Sequence, residues 1–170
     1  MRGRFASMKP PVRLGLTVAL AVLAADWLSK YAILFVIDLP ARQNIPILPF
    51  FDLTMVWNRG VSFGMLQADS LYGRMALIGF TLAISISVLV WLWRNDDILS
   101  AIALGGIFGG ALGNIYDRLI YGAVADFFDF HLMGYHWYVF NIADAGISIG
   151  VTLLLIRTFW IGDAVNEADK

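Results

Sequence analysis

The sequence predicts an all-α membrane protein, four transmembrane helices with a small extended platform at one surface of the bilayer. Three observations carry that prediction. Hydrophobic residues make up 59% of the chain and charged residues only 15%, far from the balance of a water-soluble domain, so the excess apolar surface has to be met by lipid. Four apolar runs, at residues 14–37, 71–93, 98–119 and 139–160, are each long enough to cross a hydrocarbon core of about 30 Å as a helix. Between the first two, Phe51, Leu53, Met55 and Trp57 alternate with Asp52, Thr54 and Val56, which is the period of a half-buried strand.

The same composition excludes several functions. A net charge of −1 with no basic stripe leaves nothing to neutralise a phosphate backbone, so nucleic acid is not an expected partner. The absence of cysteine removes thiol nucleophiles, disulfides and thiolate metal sites together.

Along the chain, Arg2, Arg4, Lys9 and Arg13 precede the first apolar run. A charged start before an apolar stretch also describes a secretory signal, with Ala19-Leu20-Ala21 as a conceivable cleavage site, but the run continues well past it and reads as the first span. Four spans put both termini on one side. With that side cytoplasmic, Arg2, Arg4, Lys9, Arg13, Arg94, Arg157 and Lys170 lie inside, and Arg42, Arg59, Arg74 and Arg118 outside, the bias expected of cytoplasmic segments. Residues 1–170 then form a single polytopic domain with extracytoplasmic segments at 38–70 and 120–138. Residues 48–57 read as a strand broken by Asn58-Arg59-Gly60, and Phe128 to Tyr138, rich in aromatics, as a loop resting at the membrane interface.

Polar residues inside apolar sequence are expensive, and they tend to be paired or chemically active. Asp26 and Lys30, at i and i+4, share a helix face and can neutralise each other. Asn114 and Arg118 repeat that spacing at the outer end of the third span, where Arg118 can snorkel to the headgroups or clamp a carbonyl. Asn141 and Asp144 share a face near the start of the fourth span. If residues 120–138 fold back over the outer mouth, Asp126 meets Asp144. Two carboxyl groups that close share a proton, and such a pair activates water with one member and protonates with the other, needing neither metal nor cofactor. Spacing alone leaves the alternative of structural or helix-capping carboxylates open.

Competing motifs are weaker. Gly60-Val61-Ser62-Phe63-Gly64 matches G-x-S-x-G, but that elbow needs a parallel sheet for which four spans leave no room. Ser29 and Lys30, as neighbours on a helix, do not face each other. His131 and His136 would need a third donor and a defined geometry to hold zinc, and an interfacial loop pair is the commoner explanation. Tyr116-Asp117 is one half of a presenilin-type signature whose Gly-x-Gly-Asp half is missing. Glycines 105, 106, 109, 110 and 113 predict close helix packing on span three.

Five collinear blocks carry a family resemblance over essentially the whole chain. They are Asp26 with Lys30; Asn58-Arg59-Gly60-Val61-Ser62-Phe63; Gly109 to Asn114 with Asp117-Arg118; Gly122-Ala123-Val124-Ala125-Asp126-Phe127; and Phe140-Asn141-Ile142-Ala143-Asp144. In these the chain resembles the lipoprotein signal peptidases, signal peptidase II. The resemblance implies an aspartyl endopeptidase of the bacterial inner membrane, acting on prolipoproteins that carry a diacylglyceryl group on the cysteine after the cleavage site. It implies Asp126 and Asp144 as catalytic residues, with Asp26, Lys30, Asn58, Gly60, Asn114, Arg118 and Asn141 positioning substrate or supporting the pair. It also implies an outer β-cradle with a short helix, membrane lipids as neighbours, no cofactor, and function as a monomer. Ala125 stands where a larger aliphatic residue is usual in the family, a departure that touches substrate preference rather than chemistry. Two other classes fit parts of the pattern: a proton-coupled transporter using the same carboxylates as a relay, and a non-catalytic scaffold built on the glycine-rich span.

Overall fold

A computed structural model describes residues 8–60 and 70–161. Four helices in it are long and apolar enough to cross a membrane: Pro10–Val36, Leu71–Arg94, Ile98–Ile120 and Ile142–Phe159, with mean hydropathies of 1.6, 2.3, 1.7 and 1.6. The first comprises α1, Pro10–Tyr31, and a π-helical continuation, Ala32–Val36. It starts four residues before the apolar run because Pro10 and Pro11 occupy the first turn, where a missing N–H costs nothing. Residues 19–21 lie inside this uninterrupted helix. A short helix α2, Leu39–Arg42, leads to strands β1, Asn44–Leu48, and β2, Phe51–Asn58. Helices α3, Leu71–Arg94, and α4, Ile98–Ile120, follow, each N-capped by a side chain: Ser70 accepts from the Gly73 N–H, and Asp97 from the Ser100 N–H. Strands β3, Val124–Leu132, and β4, Tyr135–His136, precede α5, Ile142–Ile156, which runs on as a π-helical turn.

Helix α4 is central. Of its apolar window 67% is buried, against 28%, 22% and 11% for the other three spans. Its glycines make this possible: a Cβ on Gly105 or Gly109 would collide with the carbonyls of Gly15 or Ala19 on α1, and one on Gly110 with the carbonyl of Ala143 on α5. The close packing predicted from those glycines is what forms.

At one end of the bundle the N-terminal end of α1, the α3–α4 turn and the end of α5 lie together, joined by Lys9–Asp96 at 2.7 Å and Arg157–Asp97 at 3.4 Å. At the other end stands an antiparallel sheet in the order β1-β2-β3-β4. The segment from Phe128 to Tyr138 is therefore not an interfacial loop. Strand β3 continues to Leu132, and Met133 and Gly134, with φ of 52° and 82°, form a two-residue turn whose positive angles match a hairpin's twist.

The alternation read in β2 is also interrupted. Leu53 pairs with Phe128 but Val56 with Asp126, so β2 carries one extra residue between them. Because side chains alternate with period two, that bulge moves every later residue of β2 to the opposite face. Met55 goes into the core under the sheet with Phe127, Ala125, Ile33, Leu34 and Leu39. Asn58 comes to the face that carries Asp126.

Candidate active site

Asp126 and Asp144 reach one place from different elements. Asp126 is fully buried on β3. Asp144 is the third residue of α5, in a capping box with Asn141: the Asp144 N–H donates to Asn141 Oδ1 at 2.9 Å, and the Asn141 N–H to Asp144 Oδ2 at 3.3 Å. The helix-capping reading of Asp144 therefore holds, and it does not exhaust the residue. Its other oxygen, Oδ1, accepts from Asn114 Nδ2 at 2.8 Å.

Three asparagine amides tie the carboxyl groups together. Asn141 Nδ2 donates to Asp126 Oδ1 at 2.6 Å and lies 3.4 Å from Asn114 Oδ1. Asn58 Nδ2 donates to Asp126 Oδ2 at 3.0 Å and to the Tyr138 hydroxyl at 2.5 Å. The Asn58 Oδ1 accepts the Gly60 N–H at 3.0 Å, and Arg118 Nη2 donates to the Gly60 carbonyl at 2.8 Å. Arg118 Nη1 reaches the Asn114 carbonyl at 3.3 Å. Arg118 is thus buried against the loop after β2 and does not snorkel to headgroups. Val61, Ser62 and Phe63 of the second block, and with them the G-x-S-x-G reading, lie outside the described residues.

Burial raises the Asp126 carboxyl to a pKa of about 8, the charge of Asp144 adding to the rise while the Asn58 and Asn141 hydrogen bonds oppose it. Burial and the neighbouring charge both favour the protonated form of Asp126. A cavity of about 330 Å³ opens beside Asp144 between α3, α4 and α5, lined also by Asn58, Asn114, Arg118 and apolar groups including Phe80 and Ile84, with Asp126 behind the asparagines and not in its lining. A larger cavity of about 570 Å³ lies on the α1 side of α4, away from the pair.

A family model described as Signal peptidase (SPase) II matches residues 18–160. The chain belongs to the signal peptidase II family. It is 50% identical over 163 residues to the lipoprotein signal peptidase of Methylocella silvestris (strain DSM 15510 / CIP 108128 / LMG 27833 / NCIMB 13906 / BL2), covering 96% of this chain and 95% of that one. To the lipoprotein signal peptidase of Methylobacterium sp. (strain 4-46) it is 45% identical over 162 residues, 94% and 98% of the two chains. Two solved structures described as a bacterial membrane enzyme superpose with TM-scores of 0.78 and 0.73 at 28% identity, covering 92% and 86% of this chain and 92% of each of theirs. The chain is accordingly a signal peptidase II family protease whose described residues form four long apolar helices and a small sheet.

Within this family member Asp26 and Lys30 lie on the far side of α4 from the carboxyl pair. Lys30 Nζ meets Asp26 Oδ2 at 2.7 Å, as their spacing predicts, and also Asp117 Oδ2 at 2.8 Å. Asp117 and Tyr138 were not singled out as site residues. Asp117 had a signal in the sequence, since a second acid in an apolar helix beside one lysine asks for a partner. Tyr138 had none. His131 and His136 stack at 4.9 Å, each beside an acid, Asp52 at 3.3 Å and Asp129 at 3.0 Å, and among the described residues no group of three such side chains is placed to hold a metal.

Proposed function

We propose that this chain is an intramembrane aspartyl endopeptidase that removes the signal peptide from diacylglyceryl-modified prolipoproteins, cleaving on the N-terminal side of the lipid-modified cysteine. One observation carries the reading: Asp126 and Asp144 share a single amide network beside a cavity that opens between lipid-facing helices. The curated relatives are named lipoprotein signal peptidases, which supports lipoprotein precursors as the substrate class.

The chemistry follows from which carboxyl holds a proton. Asp144 takes a proton from a water, whose oxygen attacks the scissile carbonyl carbon, while Asp126 protonates the carbonyl oxygen. Collapse of the tetrahedral intermediate returns that proton to Asp126, and the proton held by Asp144 leaves on the departing amine. Neither cofactor nor metal enters these steps. The acyl chains of the substrate stay in the bilayer as the scissile bond enters between α3, α4 and α5.

The protein works as a monomer in the bacterial inner membrane with both termini cytoplasmic, which sets the sheet and the carboxyl pair at the outer surface. A proton relay is disfavoured because Asp126 and Asp144 sit at the sheet end of the bundle while Asp26 and Lys30 are locked in an ion cluster. Purified enzyme in detergent, given a lipidated precursor and followed by gel mobility, tests the reading: cleavage is expected from the natural sequence and none from Asp126→Asn or Asp144→Asn. Processing by either variant overturns it.

A further inference from the structure

The ion cluster on the far side of α4 reaches both reacting residues through their backbones. Asp26 Oδ1 accepts the Ala143 N–H at 3.0 Å, and Asp117 Oδ2 accepts the Ala125 N–H at 3.1 Å. Ala143 immediately precedes Asp144, and Ala125 immediately precedes Asp126. Lys30 joins the two acids, so a chain of four contacts runs from one peptide to the other: Ala125 to Asp117, to Lys30, to Asp26, to Ala143. Every link is buried, with Asp26, Asp117 and Lys30 at 1%, 2% and 4% exposure and both alanines at 0%. Gly113 leaves room for it, since a Cβ there would stand 2.5 Å from Asp26 Oδ2.

We propose that Lys30 sets the separation of the Asp126 and Asp144 carboxyl groups, as the centre of an ion triplet whose two acids each hold the peptide N–H one residue ahead of a reacting aspartate. The proposal rests on the aspartyl protease reading and gives Asp26, Lys30 and Asp117 positioning roles, since they act on the pair through the Ala125 and Ala143 peptides.

Stability alone is a poor account of the triplet. Burying three charges carries a large desolvation cost, and apolar replacements of buried ion groups are often neutral or stabilising. One of the amides it holds is in need of a partner: Ala143 is in the first turn of α5, where backbone N–H groups have no intrahelical acceptor. A charged acceptor makes the stronger hydrogen bond and fixes the plane of the peptide that carries the next Cα. Holding both peptides from one ammonium makes the distance between the two aspartates a property of the triplet. The asparagine network then aims the carboxyl groups.

The test compares Lys30→Met and Asp117→Asn with the natural enzyme, reading kcat, KM and the pH profile with a lipidated precursor. Asp117→Asn is nearly isosteric and keeps an acceptor oxygen where the Ala125 N–H and Lys30 Nζ meet, while removing the negative charge that binds Lys30, so it weakens the link without emptying it and guards against misfolding of Lys30→Met. Positioning predicts that kcat falls roughly tenfold to a hundredfold with KM within about twofold. For Asp117→Asn, which keeps the Lys30 charge, it also predicts that the alkaline limb of the profile moves down by about half a pH unit or more, because carboxyl groups farther apart couple less. Lys30→Met also takes away a positive charge that lowers the Asp126 pKa, so its limb is not the one compared. A merely structural triplet lowers the yield of folded enzyme and leaves both limbs of Asp117→Asn in place, and that result overturns the proposal. In the unmodified protein, hydrogen exchange at the Ala125 and Ala143 amides is expected to be slow, and exchange of either at the rate of an exposed amide also overturns it. Asp126→Asn and Asp144→Asn serve as controls. Activity in either removes the aspartyl reading itself, whereas inactive controls beside unmoved limbs remove only the role of the triplet.

Discussion

Asn141 donates its side-chain amide to Asp126 at 2.6 Å and, through its carbonyl oxygen, caps the helix that carries Asp144. One residue therefore aims the first carboxyl group and starts the element that delivers the second. Replacing it with alanine is expected to cost about 1 kcal/mol for the lost cap. The larger effect falls on chemistry: kcat is expected to drop by about 100-fold or more with KM little changed, because Asp126 loses the amide that aims it and the helix that delivers Asp144 loses its cap. Thermal unfolding and steady-state kinetics on the same preparation separate the two.

The raised Asp126 carboxyl predicts the alkaline side of the pH profile. The general acid must hold its proton, and it loses it as pH rises through about 8. Above that value kcat/KM is expected to fall by about tenfold per pH unit. A rate flat from pH 7 to pH 10 contradicts this.

Stability should respond to the same group with a definite sign. A carboxyl whose pKa is raised on folding binds its proton more tightly in the folded state, so its contribution is present at low pH and is lost as pH rises from the ordinary carboxyl range through about 8. Asp126→Asn removes that dependence. The variant is expected to gain on the natural protein between pH 4 and pH 8, by an amount on the order of a few kcal/mol, and to gain no more above it. Thermal melts across pH measure the difference.

Arg118 holds the loop after β2 through the Gly60 carbonyl and its own helix through the Asn114 carbonyl. Lysine presents a single point of charge and cannot span both. Arg118→Lys is expected to lower kcat/KM roughly tenfold while the fold persists, because Asn58 loses its fixed partner at Gly60 and with it part of its hold on Asp126. Kinetics beside a melting curve checks this.

Glycines of the bundle divide by what surrounds them. A Cβ on Gly109 collides with the backbone of Ala19, whereas one on Gly79 meets nothing within 4 Å. Gly109→Ala is expected to destabilise by about 1–3 kcal/mol through overpacking. Gly79→Ala is expected to be neutral or to stabilise by up to about 1 kcal/mol. Denaturation in detergent compares the two.

The four spans were legible because hydropathy over twenty residues is a local property, and so was the Asp26–Lys30 pair, set by helix geometry alone. The face of Asn58 was not, since a bulge exists only between partners and β2 finds β3 nearly seventy residues later. Strand β3 was legible in part: Phe128, Asp129, Phe130, His131 and Leu132 alternate, yet their aromatic content equally describes a membrane-surface loop. The meeting of Asp126 with Asp144 depends on that strand folding back, which no spacing in one sequence specifies. Family resemblance bridged that gap. It did not reach the bond from Asp117 to the peptide ahead of Asp126, a contact between a helix and a backbone that leaves no pattern in residue types.

Cleavage of a diacylglyceryl-modified precursor by Asp126→Asn and Asp144→Asn, each verified as folded and inserted, tests the central claim most directly. The shared-proton pair predicts no product from either variant under conditions where the natural chain processes the precursor to completion. Mature lipoprotein released at the natural rate by either one would contradict it.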